Sequence, residues 1–189
     1  MLKYMDDPEL ELMSVKLWEK TGGKTDKNKH AEQPTNLVFI QASNAIIEGK
    51  KEDALKTLIP DHLKKHNCET LDYQVVKQDS TFIQSALGDA LTLKPAIIII
   101  AGGSGLSPTD RTEDTVNEFV DRTAPGIVEA MYQFGLLRTP DAMLSKLAAG
   151  IKGETIIISI PGSSNGAVES LEAIFPSVLK AKHTIKKQA

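Results

Sequence analysis

The chain has 189 residues, a single cysteine and a formal net charge of -3, with 22 Lys and Arg against 25 Asp and Glu. That length suits one domain plus an appendage, and a domain near this size hides roughly 70% of its unfolded surface. The interleaved charges lack the basic stripe of a nucleic-acid binder, a lone Cys68 excludes an intramolecular disulfide, and the longest apolar run, Ala96 to Ala101, is far shorter than the roughly 20 residues of a membrane span. One thiol fits a reducing, cytoplasmic compartment, and the acidic N-terminus has no apolar signal-peptide core. Cys68 has only His66 at metal spacing, so a surface or part-buried thiol is expected.

In chain order, Asp7-Pro8 has the form of an N-cap followed by proline at N1. Leu10, Met13 and Leu17 then fall at helical spacing, Gly22-Gly23 ends the helix, and the polar stretch from Lys24 to Asn36 is a linker. Residues 1–35 are therefore expected to stand apart, as a packing strap, from a domain over 36–189. Leu37 to Ile40 predicts a buried strand, Asp53 to His66 a helix with Leu55, Leu58, Ile59 and Leu63 on one face, and Leu71 to Val76 a second strand. Ser80 to Leu91 predicts a helix, and Ala96 to Ile100 an apolar strand of the kind a parallel sheet buries on both faces. Helices follow over Thr112 to Arg122 and Pro125 to Phe134, another starts at Thr139-Pro140, Thr155 to Ile160 is a buried strand, and Ala167 to Phe175 is the final helix. Strands alternating with helices imply βαβ units and a sheet covered on both faces.

One device occurs twice. Ile97 to Ile100 leads into Ala101-Gly102-Gly103-Ser104-Gly105, and Ile156 to Ile160 leads into Pro161-Gly162-Ser163-Ser164-Asn165-Gly166, each followed by a helix. In open α/β sheets, ligands sit at the carboxyl ends of strands. Glycines let backbone N–H groups approach a ligand, and a helix N-terminus adds donors and positive partial charge. Neither loop is a Walker or dinucleotide fingerprint, and a tight turn has the same composition. Two such loops in one small domain point to a ligand with two anionic groups. Asp110 lies just past the first loop and Asp79 just before the helix from Ser80. Each has the position of an N-cap. Each would equally serve a divalent cation bridging carboxylate and phosphate.

Gly102-Gly103-Ser104-Gly105-Leu106-Ser107-Pro108-Thr109-Asp110 resembles the Gly-Gly-Thr-Gly…Asp motif of the MogA/MoaB family and the gephyrin G domain. Ala124-Pro125-Gly126, Ala142 to Ser145, Pro161-Gly162-Ser163, Ala167-Val168-Glu169 and Leu171-Glu172 extend the likeness, which runs from about Asn36 to His183 and is strongest from Ile97 onward. The resemblance implies a three-layer α/β/α molybdopterin-binding domain with a mostly parallel sheet, assembled as a homotrimer. It implies a molybdopterin adenylyltransferase that uses Mg2+ and ATP to place AMP on the pterin's terminal phosphate. By position it assigns catalysis and metal binding to Asp79 and Asp110. It assigns ligand contacts to Gly102, Gly103, Ser104, Gly105, Ser145, Pro161, Gly162 and Ser163.

The N-terminal half departs from the pattern. Ser43-Asn44 stands for Ser-Asp, and Leu55-Lys56 stands where Ser-Gly follows the retained Gly49 and Asp53. Lys146 replaces an arginine, and Ser164-Asn165-Gly166 lengthens the second loop. Asn44 and Leu55 favour a non-catalytic pterin- or nucleotide-binding protein of the same fold, whereas Asp79 with Asp110 favours the enzyme. A CinA-like nucleotide pyrophosphatase is a third reading, although it ordinarily carries a second domain.

Overall fold

The structure is a computed structural model that describes residues 33–186; the helix expected after Asp7-Pro8 lies outside them. Pro34–Ala189 form one compact unit. Strand β1 (Thr35–Ala42) is followed by a short helix α1 (Asn44–Ile47), helix α2 (Leu55–Lys64), strand β2 (Cys68–Val76), helix α3 (Ser80–Thr92) and strand β3 (Ile97–Ala101). Then come helix α4 (Thr112–Phe119), strand β4 (Arg122–Thr123), helix α5 (Pro125–Leu136), a 3₁₀ turn (Pro140–Leu144), strands β5 (Ala149–Lys152) and β6 (Thr155–Ile160), and helices α6 (Ser164–Ile174) and α7 (Ser177–Lys186).

The six strands form one sheet in the order β2-β1-β3-β6-β5-β4. The first four are parallel, and β5 and β4 add an antiparallel edge. The central strands are β-branched and aromatic runs that suit a pleated, fully covered sheet. Because side chains alternate across a strand, Leu37, Phe39, Ile97 and Ile99 face one layer, where α2, α5, α6 and α7 pack. Val38, Ile40, Ile98 and Ile100 face the other, where α3 supplies Ile83 and Leu87 and α4 supplies Val116. The expected three-layer α/β/α arrangement with a mostly parallel sheet is what forms.

Several boundaries differ from expectation. Strand β1 takes up Thr35 and Asn36, which the polar composition places in the linker. Helix α4 stops at Phe119 rather than Arg122 because the edge claims the chain: Asp121 N–H donates to Ile151 O at 2.8 Å, and Arg122 and Thr123 pair with Ile151 and Gly150. The segment from Thr139-Pro140 makes only a 3₁₀ turn. There the Tyr132 hydroxyl donates to Ser145 O at 2.6 Å and accepts from Leu147 N at 3.2 Å, drawing the chain out towards β5. The helix ending near Phe175 is not the last, since α7 follows Pro176. Cys68 is buried in the core rather than at the surface, on the same face as Leu55 and Phe175.

Two histidines give this core a pH signature. His62 Nε2 is buried and has no hydrogen-bond partner among the described residues, and the His66 ring packs 5.4 Å from that of Phe175. Burial first, and the neighbouring Lys65 charge second, hold both imidazoles below their usual 6.5. A group whose pKa is depressed by folding contributes stability above its unfolded pKa and loses it as pH falls through the folded value. Thermal melting is therefore expected to be level above pH 7 and to decline below pH 6.5. A His62→Leu, His66→Leu variant should decline less; an identical slope in wild type and variant would remove the histidines as the cause.

Candidate functional site

From β1 the chain passes through α2 to β2 on one side, then through α3 on the opposite face to β3 on the other side of β1. The order therefore reverses between β1 and β3, and the crevice beyond their carboxyl ends is where a ligand is expected in such a sheet. The first glycine loop opens there. Gly102 and Gly103 have φ of +90° and +59°, conformations that side chains other than glycine rarely adopt. A Cβ on Gly102 would collide with the Ala42 carbonyl oxygen, and one on Gly103 with the Thr112 hydroxyl.

Thr112 holds this loop by its carbonyls. Its hydroxyl donates to Gly102 O at 2.7 Å and its N–H to Gly103 O at 3.1 Å. Among the described residues no acceptor takes the N–H groups of Gly103, Ser104 or Gly105, although Gly103 and Ser104 are buried. Buried backbone donors are almost always paired, so the N–H groups of Gly103 and Ser104, with that of Gly105 beside them, are donors that an anion could satisfy.

The second loop abuts the first. Gly102 N–H donates to Ile160 O at 3.1 Å, and a Cβ on Gly162 would lie 2.9 Å from the Gly102 Cα. Ser163 caps α6, its hydroxyl oxygen accepting from Gly166 N at 3.3 Å, while its O–H remains a donor. Lys51, from the loop before α2, reaches Gly162 O at 3.5 Å and brings a cation to this junction. A cavity of about 340 Å³ lies between α5, the 3₁₀ turn and α6, lined by Tyr132, Arg138, Ser145, Pro161, Ser163 and Glu169 among others. Its size is at the small end for a small-molecule site. Thus Ser145, Pro161 and Ser163 share one cavity wall, whereas the first-loop glycines and Asp110 do not line it.

Asp110 does not cap α4. The capping position is Arg111, without a side-chain bond. Instead Asp110 closes its own loop: Oδ2 accepts from Ser107 N at 3.2 Å, and Gly105 leaves room for it, since a Cβ there would sit 2.6 Å from that oxygen. The other oxygen, Oδ1, accepts from Gln78 Nε2 at 3.1 Å. Lys146 ties the segment to the start of β5. Its Nζ donates to Asp110 O at 3.2 Å, its N–H donates to Ser104 O at 2.6 Å, and Glu113 and Asp114 lie 3.7 and 3.5 Å from its ammonium.

Asp79 does cap a helix, accepting from Thr81 N at 2.9 Å at the exposed start of α3. The residue that β2 brings onto Asp110 is its neighbour Gln78. Of the N-terminal positions that depart from the resemblance, Asn44 joins Gln78 in a reciprocal pair. Leu55 is buried in the core. Asp53 accepts the Tyr73 hydroxyl, bracing the approach to α2 against β2, and burial, reinforced by this bond, pushes the phenol well above its usual pKa. Sequence reasoning missed Gln78 and Lys51. Both are polar residues placed where a loop meets the carboxyl edge of the sheet, which is the only signal they carry.

To a hard cation held jointly with a ligand, Asp110 would offer one carboxylate, whose oxygens accept from Ser107 N and Gln78 Nε2. Among the described residues no three His, Cys, Asp or Glu side chains converge, so a cation at Asp110 would complete its shell with phosphate oxygens and water, as Mg2+ commonly does. No helix among the described residues is long and apolar enough to cross a membrane.

The family profile described as "Probable molybdopterin binding domain" matches residues 39–181. A "Molybdenum cofactor biosynthesis bifunctional protein" of Chlorobaculum tepidum is 28% identical over 180 residues, which are 95% of this chain and 57% of that protein. The chain thus spans little more than half of that relative. A "Molybdopterin adenylyltransferase" of Helicobacter pylori is 27% identical over 149 residues, 77% of this chain and 85% of that one. The crystal structure of the molybdopterin biosynthesis enzyme MoaB from Thermus thermophilus is similar with a TM-score of 0.76 at 32% identity, covering 82% of this chain and 98% of that one.

Proposed function

The chain belongs to the molybdopterin-binding family of molybdenum-cofactor biosynthesis, and on that premise we propose that it catalyses the Mg2+- and ATP-dependent adenylylation of molybdopterin. The observation that carries this reading is the pair of abutting glycine loops, with three unpaired N–H donors on the first and a carboxylate, Asp110, at its rim. In this reading Gly102, Gly103, Ser104 and Gly105 bind phosphate oxygens of one ligand. Pro161, Gly162, Ser163 and the start of α6 bind the other, with Ser145 on the cavity wall. Asp110 holds Mg2+, and Asp79 is the second acid. When bound, Mg2+ supplies charge neutralisation on the phosphates.

The reaction balances without a covalent enzyme intermediate. An oxygen of the pterin's terminal phosphate attacks the α-phosphorus of ATP. The new P–O–P bond forms as the bond to the β-phosphate breaks, and pyrophosphate leaves with the electron pair. A phosphate monoester is already largely ionised at neutral pH, so the chain's residues need only align the two ligands and offset their charge. Assembly as a homotrimer and a cytoplasmic site of action belong to the same proposal.

A specific observation favours a second reading, a protein that binds pterin or nucleotide without turnover: the residue against Asp110 is the neutral Gln78, while Asp79 is engaged in capping. Incubation with Mg-ATP, with and without molybdopterin, followed by separation of products, distinguishes the two. Pterin-dependent AMP transfer supports the enzyme, and saturable binding with no product supports the binder.

We also propose that the N-terminal 30 residues are dispensable for ligand binding, because every proposed ligand contact lies beyond Asn36. Deleting Met1 to Lys29 is expected to leave the affinity for Mg-ATP within about two-fold of wild type, or about 0.4 kcal/mol. Calorimetry showing that a still-folded deletion variant no longer binds would place the arm in the site.

A further inference from the structure

Three segments that leave the carboxyl ends of β1, β2 and β3 are joined by one side chain. Asn44 N–H donates to Gln78 Oε1 at 3.3 Å, and Gln78 N–H donates back to Asn44 Oδ1 at 3.1 Å. Gln78 Nε2 then donates to Asp110 Oδ1 at 3.1 Å. The Gln78 side chain also lies over the first glycine loop, its Cγ 3.7 Å from where a Cβ on Gly103 would stand. The amide can point only one way. Turned over, its oxygen would face a carboxylate and its NH2 would face the Asn44 N–H. With Ser107 N on the opposite oxygen at 3.2 Å, the Asp110 carboxylate is held on both sides.

We propose that Gln78 is the positioning residue of the cation site: it fixes the Asp110 carboxylate beside the first glycine loop, couples it to the turn at Asn44, and, being neutral, leaves that site with one acidic ligand from this pair. The proposal rests on the reading of Asp110 as a cation ligand. Partners that orient a metal-binding carboxylate commonly change metal affinity by about 10–100-fold when removed. Gln78→Ala frees the carboxylate, whereas Gln78→Glu keeps an oxygen acceptor for Asn44 and sets a second carboxylate against Asp110. Two facing carboxylates repel each other until a divalent cation joins them, so the two variants should move cation affinity in opposite directions.

The test is Mn2+ binding to the full chain in the presence of ATP, followed by electron paramagnetic resonance, with thermal melting alongside. Gln78→Ala is expected to weaken Mn2+ binding about 10-fold, and Gln78→Glu to strengthen it by a similar factor, about 10-fold. A merely structural Gln78 would lower the melting temperature in both variants and leave Mn2+ affinity unmoved. That result overturns the proposal, as does a shift in the same direction in both. Asp110→Asn separates the two levels. If it weakens Mn2+ binding while the Gln78 variants do not, the positioning role alone falls. If it has no effect, the cation-ligand reading falls and the positioning role with it.

Discussion

Asp110→Asn is expected to lower AMP transfer by at least about 100-fold, equivalent to roughly 2.7 kcal/mol of transition-state stabilisation, while the protein stays folded. The two properties separate because the carboxylate is engaged in a loop rather than in the core. Its oxygens accept from Ser107 N and Gln78 Nε2, and the residue is only half-buried. An asparagine keeps one acceptor oxygen and turns its NH2 towards the other donor, so one hydrogen bond is lost at a cost of about 1 kcal/mol. For a chain of this size that lowers the melting temperature by roughly 2–4 °C. Lys146 reaches the backbone oxygen of Asp110 rather than its side chain and is untouched by the change. A neutral amide is a poor ligand for Mg2+, so the loss should appear in turnover and in Mg2+ dependence. Melting curves and transfer rates for the same preparation provide the check. Full activity in Asp110→Asn would leave the carboxylate as a loop-closing group only.

Gly102→Ala is expected to be the most damaging single substitution in the glycine loops. At φ +90° an alanine is strained by about 1–3 kcal/mol, and its methyl group would also be driven into the Ala42 carbonyl oxygen, a backbone atom that cannot swing aside. Relief requires moving the loop, but Gly102 N–H is bonded to Ile160 O and Gly162 is pressed against its Cα. Both loops would shift together. The expected loss is about 3 kcal/mol or more of stability, a fall in melting temperature of roughly 6–12 °C, and loss of measurable Mg-ATP binding by calorimetry. Gly88→Ala in α3 is the control. Nothing lies within 4 Å of its Cβ position, and replacing a mid-helix glycine should raise stability by about 0.5–1 kcal/mol. Wild-type affinity for Mg-ATP in Gly102→Ala would mean that the loop is a structural turn and not a cradle.

The parts of this molecule that follow from short-range rules were legible in the sequence. Ile97 to Ile100 and Ile156 to Ile158 announce buried parallel strands by composition alone, and Asp79 is recognisable as a helix cap because capping needs only the next three residues. What escaped depends on distant partners. Strands β4 and β5 are two and four residues long and exist because the edge of β6 recruits β5, which in turn pairs with β4. Asp110 has the sequence position of a cap, yet the hydroxyl and N–H of Thr112 are spent on Gly102 and Gly103, and the carboxylate turns back to Ser107. Gln78 carries no charge and fits no motif. Its partners lie 34 and 32 residues away, so only the assembled sheet reveals it. The two glycine loops were each recognisable as loops, but that they touch follows from β3 and β6 being neighbours, which neither stretch encodes alone.

The central claim is that both glycine loops serve one reaction between two phosphates. The most direct measurement follows the α-phosphate of ATP, labelled with phosphorus-32, in a mixture of the full chain, Mg2+ and molybdopterin. The label is expected to move from ATP into a pterin-containing product, with one pyrophosphate released per label transferred, and to stay in ATP when either the pterin or Mg2+ is omitted. Label that remains in ATP with every component present, or that leaves as free AMP at the same rate without the pterin, would contradict it.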